Sequence, residues 1–126
     1  MLLKLQDKMK KIYYLSTCNT CTKIISELNL PKDFKLQDIK AEAITKAQIE
    51  EMRSLTASYE SLFSKRARLY NELNLKNKSL TEDDFKNYIL EHYTFLKRPV
   101  IVYEGKIFIG NSKKVVEAAK NTIHGQ

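Results

Sequence analysis

Apolar runs and helical spacings divide the first part of the chain into a strand and a helix. The apolar and aromatic run at residues 12–15 predicts a buried strand over residues 11–16. Apolar residues then recur at helical spacing and predict a helix over residues 19–29, which ends before Pro31 because proline disfavours helix at the residue before it. The positions at helical spacing are Ile24, Ile25 and Leu28.

A second strand follows the first helix, because three apolar residues alternate there with polar ones. They are Phe34, Leu36 and Ile39. The resulting β-α-β order favours a parallel pair of strands. Thr45 and Gln48 then have the spacing of a capping box, with Thr45 as the cap, and they predict a short helix that carries Ile49 and Met52.

The middle of the chain, residues 57–94, contains neither glycine nor proline and predicts a series of helical segments. Thr81 is the expected cap of the last of them. Two apolar sets are expected to be core. One set is Leu62, Phe63, Leu69, Tyr70 and Leu73, and the other is Phe85, Tyr88, Ile89 and Tyr93.

A hairpin is predicted over residues 99–109. Residues 99–103 give a continuous strand signal, Glu104-Gly105 supplies a two-residue turn, and residues 107–109 form the partner strand. A last helix follows, capped by Asn111 or Ser112. Its inward positions are Val115, Val116 and Ala119.

Two cysteines three residues apart lie where the first strand gives way to the first helix. Cys18 falls in the strand-to-helix turn and Cys21 in the first helical turn. A thiol at a helix N-terminus faces free backbone N–H groups and the positive end of the dipole, so its pKa falls. We therefore expect Cys18 to be a nucleophile and Cys21, one turn on, to be less exposed and within reach to close a disulfide.

The order of elements, with this C-x-x-C in the first turn, predicts a thioredoxin-like α/β fold with a mixed sheet. The order is β-α-β, then helices, then β-β-α, and the helices form an insertion at about residues 45–94. At 126 residues the chain is most simply one domain, residues 1–126, large enough to bury a sizeable core.

Composition indicates where the protein is located but does not identify its binding partner. The formal net charge is +7, from 22 Lys+Arg against 15 Asp+Glu, which suits an anionic substrate, an acidic protein partner or nucleic acid. The basic residues are spread along the chain without a nucleic-acid-binding motif, so a solvated surface is the simpler interpretation. The first residues hold no long apolar region, so we expect no signal peptide, no membrane span and a cytoplasmic location.

In a reducing compartment, a lone C-x-x-C is more often catalytic or metal-binding than structural. A metal site would need Cys18 and Cys21 joined by His92 and His124, which are far apart in sequence and not at zinc-finger spacing. We therefore expect no metal, and a purely structural disulfide is equally disfavoured.

Four segments together resemble the arsenate reductase family of thioredoxin-like proteins, which includes ArsC-type reductases and Spx-type transcriptional regulators. The resemblance covers nearly the whole chain. The segments are residues 18–23 (CNTCTK), 38–40 (DIK), 65–75 (KRARLYNELNL) and 96–102 (LKRPVIV).

The resemblance implies roles for individual residues. The family nucleophile corresponds to Cys18, and an arginine that helps to hold the oxyanion corresponds to Arg98. A proline that is typically cis and lies against the active-site thiol corresponds to Pro99, a further candidate substrate-binding residue. An arsenate-like anion needs N–H donors at a helix N-terminus and a bidentate guanidinium, so Asn19 and Thr20 join Arg98 as candidate substrate-binding residues.

The chain departs from the ArsC-type reductases at two of their three arginines. Those positions fall on Ser64 and Gly110. Arg66 lies two residues past the first of them, where Spx-type members also carry arginine, and it is a further candidate for anion binding or simply part of a solvated helix face. Cys21 is a cysteine that ArsC-type reductases lack and many Spx-type members have.

Two functions follow from these features. The first is an arsenate reductase-like, thiol-dependent oxidoreductase that uses Cys18 as nucleophile and Cys21 or an external thiol as resolver, on a small oxyanion or thiol substrate. It would hold no tightly bound cofactor and would draw on glutathione, glutaredoxin or thioredoxin as reductant. The alternative is an Spx-type regulator that binds an RNA polymerase subunit through a Cys18/Cys21 redox switch.

Overall fold

The computed structural model describes residues 8–125. The chain forms two compact units, with boundaries after Glu42 and before Arg98. The first unit combines the part of the chain up to Glu42 with the part from Arg98 onward, and the second unit is Ala43–Lys97. That the whole chain forms a single domain stays a prediction.

The first unit contains a four-stranded mixed sheet. Its strands are β1 (Lys10–Tyr14), β2 (Lys35–Asp38), β3 (Val100–Tyr103) and β4 (Lys106–Ile109), in the order β2-β1-β3-β4. β1 and β2 are parallel, as the β-α-β order predicts, whereas β3 is antiparallel to both β1 and β4. The mixed α/β fold class predicted from the sequence is therefore confirmed.

This topology brings four chain segments to one edge of the sheet. β1, β2 and β4 run in the same direction, and β3 runs in the opposite one. The residues that follow β1, β2 and β4 therefore lie at the same edge of the sheet as the residues that precede β3. The turn that carries Cys18, the end of β2, the Arg98–Pro99 pair and Gly110 all lie there.

Two helices cover one face of the sheet. They are α1 (Asn19–Leu28) and α5 (Lys113–Ile123), which is capped by the Ser112 hydroxyl. The buried residues of this core come from both helices and the central strands. They are Ile12, Ile24, Leu28, Phe34, Ile101, Val116, Ala119 and Ile123. Most of the apolar residues whose spacing predicted α1 and α5 therefore face the core. Ile25 and Val115 are only partly buried.

The predicted hairpin is present with its two-residue turn. Glu104 and Gly105 both have positive φ, at 47° and 84°. This is the conformation of the primed turns that match the twist of the flanking strands. The turn fixes the register in which Val100 pairs with Ile109.

The second unit holds two full helices, α2 (Lys46–Ser54) and α4 (Glu82–Glu91), and the shorter α3 (Arg68–Glu72). Capping boxes begin the two long helices, at Thr45 and at Thr81. The box at Thr45 is the predicted one, whereas at Thr81 only the cap itself is predicted. Single 3₁₀ turns lie between and after these helices, at Glu60–Leu62, Leu75–Asn77 and Tyr93–Phe95. Its core centres on the Phe63 ring. The rings of Tyr70, Phe85, Tyr88 and Phe95 lie around it.

Two apolar residues that the sequence assigned to buried faces are exposed. Leu36 is 50% exposed and Leu73 is 44% exposed. Leu36 pairs with Ile12, but it belongs to the edge strand, and an edge position is covered by a neighbouring strand on one side only. Leu73 is the C-terminal cap of the short helix α3. The buried residue of β2 is instead Gln37, whose Nε2 donates to the Glu42 carbonyl over 3.0 Å.

Candidate thiol redox site

Cys18 is the N-cap residue of α1. Its backbone is extended, with φ −97° and ψ 111°, and its carbonyl accepts a 3.2 Å hydrogen bond from the Thr22 N–H. Its own N–H donates to the Leu15 carbonyl over 3.0 Å, which closes a turn between β1 and α1. Residues 12–14 end β1, and Ile24 and Leu28 are the buried positions of α1. The thiol therefore lies at the strand-to-helix junction that the sequence predicts.

The pKa of Cys18 is lowered from its ordinary value. Partial burial works in the opposite direction and raises the pKa, because it disfavours the charged thiolate. The backbone N–H of Cys21, the Cys21 thiol and the backbone N–H of Thr20 favour the thiolate, and the positive charge of Arg98 adds to them. These groups together outweigh the desolvation.

Cys21 has the same side chain in a contrasting environment. It is fully buried in the first turn of α1. Burial, reinforced by the neighbouring Cys18 sulfur, raises the pKa of Cys21 to about 11. Both cysteines are free thiols in the structure. Cys18 therefore ionises more readily than Cys21.

Arg98 and Pro99 enter the site from the segment before β3. Their peptide bond is cis. Pro99 is buried, and its carbonyl accepts a 2.9 Å hydrogen bond from the Gly110 N–H. Arg98 is partly buried, with its Nε atom shielded from solvent. Its positive charge is the smallest of the contributions that lower the pKa of Cys18.

The other candidate residues lie in different settings. Asn19 and Thr20 are exposed in the first turn of α1, and the Asn19 carbonyl accepts a 3.0 Å hydrogen bond from the Thr22 hydroxyl. Arg66 belongs to the second unit, where it is exposed in the turn before α3. The first unit therefore brings together Cys18, Cys21, Asn19, Thr20, Arg98 and Pro99.

The backbone at Gly110 disfavours an arginine at this position. Gly110 has φ +93°, a conformation that side-chain-bearing residues rarely adopt. Space is not the reason, because a Cβ added there would meet nothing within 4 Å. Ser64, at the other position, belongs to the second unit, where its N–H donates to the Phe95 carbonyl over 2.7 Å.

Sequence reasoning did not identify Ser16 and Asp38 as partners. Asp38 ends β2, and one of its carboxylate oxygens accepts a 2.6 Å hydrogen bond from the Ser16 hydroxyl. The other oxygen faces the Ser16 N–H at 3.2 Å. The signal in the sequence was the predicted parallel pairing of β1 and β2, which places the ends of the two strands side by side.

Each of the two histidines has a hydrogen-bond partner. His124 contacts the Leu28 carbonyl through Nε2 at 2.7 Å, and His92 contacts the Thr94 hydroxyl through Nδ1 at 2.7 Å. Within residues 8–125, no three His, Cys, Asp or Glu side chains are grouped to hold a metal ion. No helix in that same part of the chain is long and apolar enough to cross a membrane.

Comparison with known proteins identifies a family and a relative by sequence. A model of the ArsC family matches residues 13–119. The chain is 26% identical over 106 residues to the global transcriptional regulator Spx 1 of Bacillus cereus, an alignment that covers 81% of this chain and 79% of the relative.

Solved structures agree with that match. An ArsC family related protein from Bacteroides fragilis superposes with a TM-score of 0.74 at 20% identity, covering 88% of this chain and 98% of that one. A protein from Streptococcus mutans described as a possible arsenate reductase gives a TM-score of 0.68 at 27% identity, with 84% and 92% covered. The fold is therefore the thioredoxin-like fold of these proteins.

Proposed function

The chain belongs to the ArsC family, and from that membership we propose that it is a thiol-dependent oxidoreductase in which Cys18 is the nucleophile and Cys21 the resolving thiol. The observation that supports this is the contrast between the two cysteines. The pKa of Cys18, at the helix N-terminus, is lowered, and that of buried Cys21 is raised to about 11. A reactive thiolate beside a protonated thiol is the starting state for this chemistry.

With arsenate as substrate, the Cys18 thiolate displaces an oxygen ligand of arsenic, which leaves as water, and forms a sulfur–arsenic(V) bond. The Cys21 thiol then gives its proton to an oxygen of the bound arsenic group and, as the thiolate, attacks the Cys18 sulfur. The sulfur–arsenic bond breaks with its electron pair moving to arsenic, so arsenite leaves and a Cys18–Cys21 disulfide remains. Two thiols are oxidised and arsenic gains two electrons. Arg98 and the N–H groups at the start of α1 would hold the oxyanion.

A disulfide substrate follows the same order of steps. The Cys18 thiolate attacks one sulfur, releases the other as a thiolate and forms a mixed disulfide. Cys21 attacks the Cys18 sulfur, releases the second thiol and closes the internal disulfide. In both cases glutathione, or a glutaredoxin- or thioredoxin-type protein, would restore the two thiols. The reductant is thus a co-substrate rather than a resident cofactor.

Two assays on the full chain test this proposal. In the first, reduced protein reacts with glutathione disulfide and the products are read by mass spectrometry. We expect Cys18 to be glutathionylated first, with release of one glutathione molecule, and a Cys18–Cys21 disulfide then to form with release of a second one. Cys21→Ser should stop at the mixed disulfide, and Thr22→Ser, which leaves both thiols in place, should behave as the parent.

The second assay follows arsenate-dependent NADPH oxidation with glutathione, glutaredoxin and glutathione reductase present. Cys18→Ser should abolish turnover. Arg98→Ala should lower it by about 100-fold, the usual effect of losing one donor to a developing oxyanion. Turnover that survives Cys18→Ser unchanged would contradict the proposed nucleophile, and reaction with glutathione disulfide but not with arsenate would assign the substrate to the disulfide class.

A second candidate function has a specific observation in its favour. The relative of this chain from Bacillus cereus is a global transcriptional regulator, Spx 1. We propose as the alternative that the Cys18/Cys21 pair is a redox switch that controls binding to an RNA polymerase subunit. RNA polymerase should then retain the chain in a pull-down, with different efficiency for the dithiol and disulfide forms. Equal retention of both forms, or none of either, excludes this switch.

A further inference from the structure

We propose that Asp38 is a positioning residue for the Cys18 thiolate, acting through the turn that carries Cys18 and held to that turn by Ser16. This inference rests on the proposed nucleophilic role of Cys18. Asp38 lies at the end of β2, parallel and adjacent to the strand that leads into the site.

The contacts of Asp38 are concentrated on the start of the Cys18 turn. One carboxylate oxygen accepts from the Ser16 hydroxyl over 2.6 Å. The other lies 3.2 Å from the N–H groups of Ser16 and Lys40. The carboxylate therefore holds Ser16 by main chain and side chain at once. The short bond to the Ser16 hydroxyl is typical of a charge-assisted hydrogen bond.

The turn itself transmits this restraint to the cysteine. The Cys18 N–H donates to the Leu15 carbonyl, so Ser16 and Thr17 are the two central residues of a closed turn. Next to Asp38 in the chain, the Ile39 N–H donates to the Tyr14 carbonyl over 2.9 Å and fixes the end of β1. Only exposed Thr17 separates Ser16 from Cys18.

The pKa of Asp38 is consistent with this arrangement. It is lowered chiefly by the hydrogen bond from the Ser16 side chain, against a smaller opposing effect of desolvation, with further contributions from the N–H groups of Ser16 and Lys40 and from the charge of Lys40. The carboxylate is thus held in its charged form by the same groups that it anchors.

A positioning role for Asp38 and a direct electrostatic effect of its carboxylate predict opposite changes in the pKa of Cys18. A negative carboxylate acting directly on a thiolate raises the thiol pKa, so its removal should lower the pKa of Cys18. If Asp38 instead keeps the Cys18 sulfur against the N–H groups of Thr20 and Cys21, its removal should raise that pKa. The groups that favour the Cys18 thiolate are those two N–H groups, the Cys21 thiol and Arg98.

The experiment measures how the rate of Cys18 alkylation by iodoacetamide depends on pH, with Cys18 followed separately by mass spectrometry. The variants are Asp38→Asn, Ser16→Ala and the double variant. Asp33→Asn is the matched control, because Asp33 is also a charged carboxylate of the first unit but pairs with Lys10 at the start of β1, away from the Cys18 edge.

For Asp38→Asn and for Ser16→Ala we expect the midpoint to move to higher pH and the rate at pH 7 to fall by about threefold to tenfold, since one pKa unit is a tenfold change in thiolate fraction. The double variant should shift the midpoint no further than the more affected single variant, because each single substitution already removes the Asp38–Ser16 hydrogen bond. Asp33→Asn should match the parent.

A midpoint that is unchanged or moves to lower pH in Asp38→Asn would overturn the positioning role, as would an equal upward shift in Asp33→Asn. Ser16→Ala keeps the proposal falsifiable if Asp38→Asn does not fold. The readout does not depend on turnover. An inactive parent protein with the expected shifts would contradict the proposed function alone, and an active parent without them would contradict this inference alone.

Discussion

Two residues of one type, three positions apart, show how local environment sets chemistry. Cys18 lies at the helix N-terminus near Arg98, whereas Cys21 is fully buried one turn later. Their thiol pKa values move in opposite directions from a common starting value. The division of labour between nucleophile and resolver that we propose is therefore a consequence of placement rather than of side-chain identity.

This contrast predicts different alkylation behaviour for single-cysteine proteins. In Cys21→Ser, Cys18 should react readily with iodoacetamide at pH 7. In Cys18→Ser, Cys21 should react slowly up to about pH 9 and faster only at higher pH, because desolvation, the main cause of its raised pKa, remains after the Cys18 sulfur is removed. The measurement is the alkylation rate of each variant, compared with that of free cysteine under the same conditions. Equal alkylation rates for Cys18 and Cys21 at neutral pH would contradict the prediction.

Glu104 provides a stability test at the residue scale. It has φ +47° in the hairpin turn, where a side chain with a Cβ is disfavoured but asparagine is tolerated. Glu104→Asn should therefore raise the free energy of unfolding by about 1 kcal/mol, measured by urea denaturation. Glu104→Ala removes the same charge without relieving the backbone and should give no such gain. Equal stability of the two variants would rule out the backbone explanation.

At the scale of elements, local signals begin the long helices of the second unit. The Thr45 hydroxyl accepts from the Gln48 N–H over 3.1 Å while the Gln48 side chain accepts from the Thr45 N–H. Thr81 and Asp84 repeat this arrangement at α4. Each box satisfies backbone donors that the helix itself leaves unpaired.

Removing one of these caps should be measurable. Thr81→Ala should lower the free energy of unfolding by about 1 kcal/mol, since the Asp84 N–H loses its acceptor. Thr81→Ser keeps the hydroxyl and should retain most of the stability. Urea denaturation of the two variants gives the comparison, and a loss in Thr81→Ser as large as that in Thr81→Ala would show that the methyl group, not the cap, matters.

At the scale of the whole molecule, charge governs the response to acid. The chain carries a formal charge of +7 at neutral pH, and acid adds further positive charge. Hydrogen bonds from cationic or hydroxyl partners lower the pKa of Asp33, Asp38 and Glu50. A carboxyl whose pKa is lowered by folding stabilises the folded state above the unfolded pKa, and this contribution is lost as pH falls through the folded pKa.

The urea midpoint should therefore stay nearly constant between about pH 7 and pH 5 and fall below about pH 4, where these carboxylates begin to protonate. Asp33→Asn, which removes the partner of Lys10, should show a shallower fall than the parent protein. Urea denaturation at successive pH values measures both curves. Parallel curves would mean that Asp33 does not contribute to the acid response.

The sequence by itself determined the features that depend on near neighbours. The strand before Cys18, the helix after it, the caps at Thr45 and Thr81 and the Glu104-Gly105 turn each follow from residues within a few positions of one another. The β-α-β order also predicted the parallel pair, because a short helical crossover leaves few other arrangements.

Tertiary structure decided which apolar positions are buried and which distant residues meet. Exposed Leu36 and buried Gln37 reverse the pattern expected for β2, because burial of an edge strand depends on what covers it. The contacts of Asp38 with Ser16 and the effect of Arg98 on Cys18 join residues 22 and 80 positions apart. These residues come near each other only because the strands present their ends at one edge of the sheet, and no local spacing in the sequence encodes that proximity.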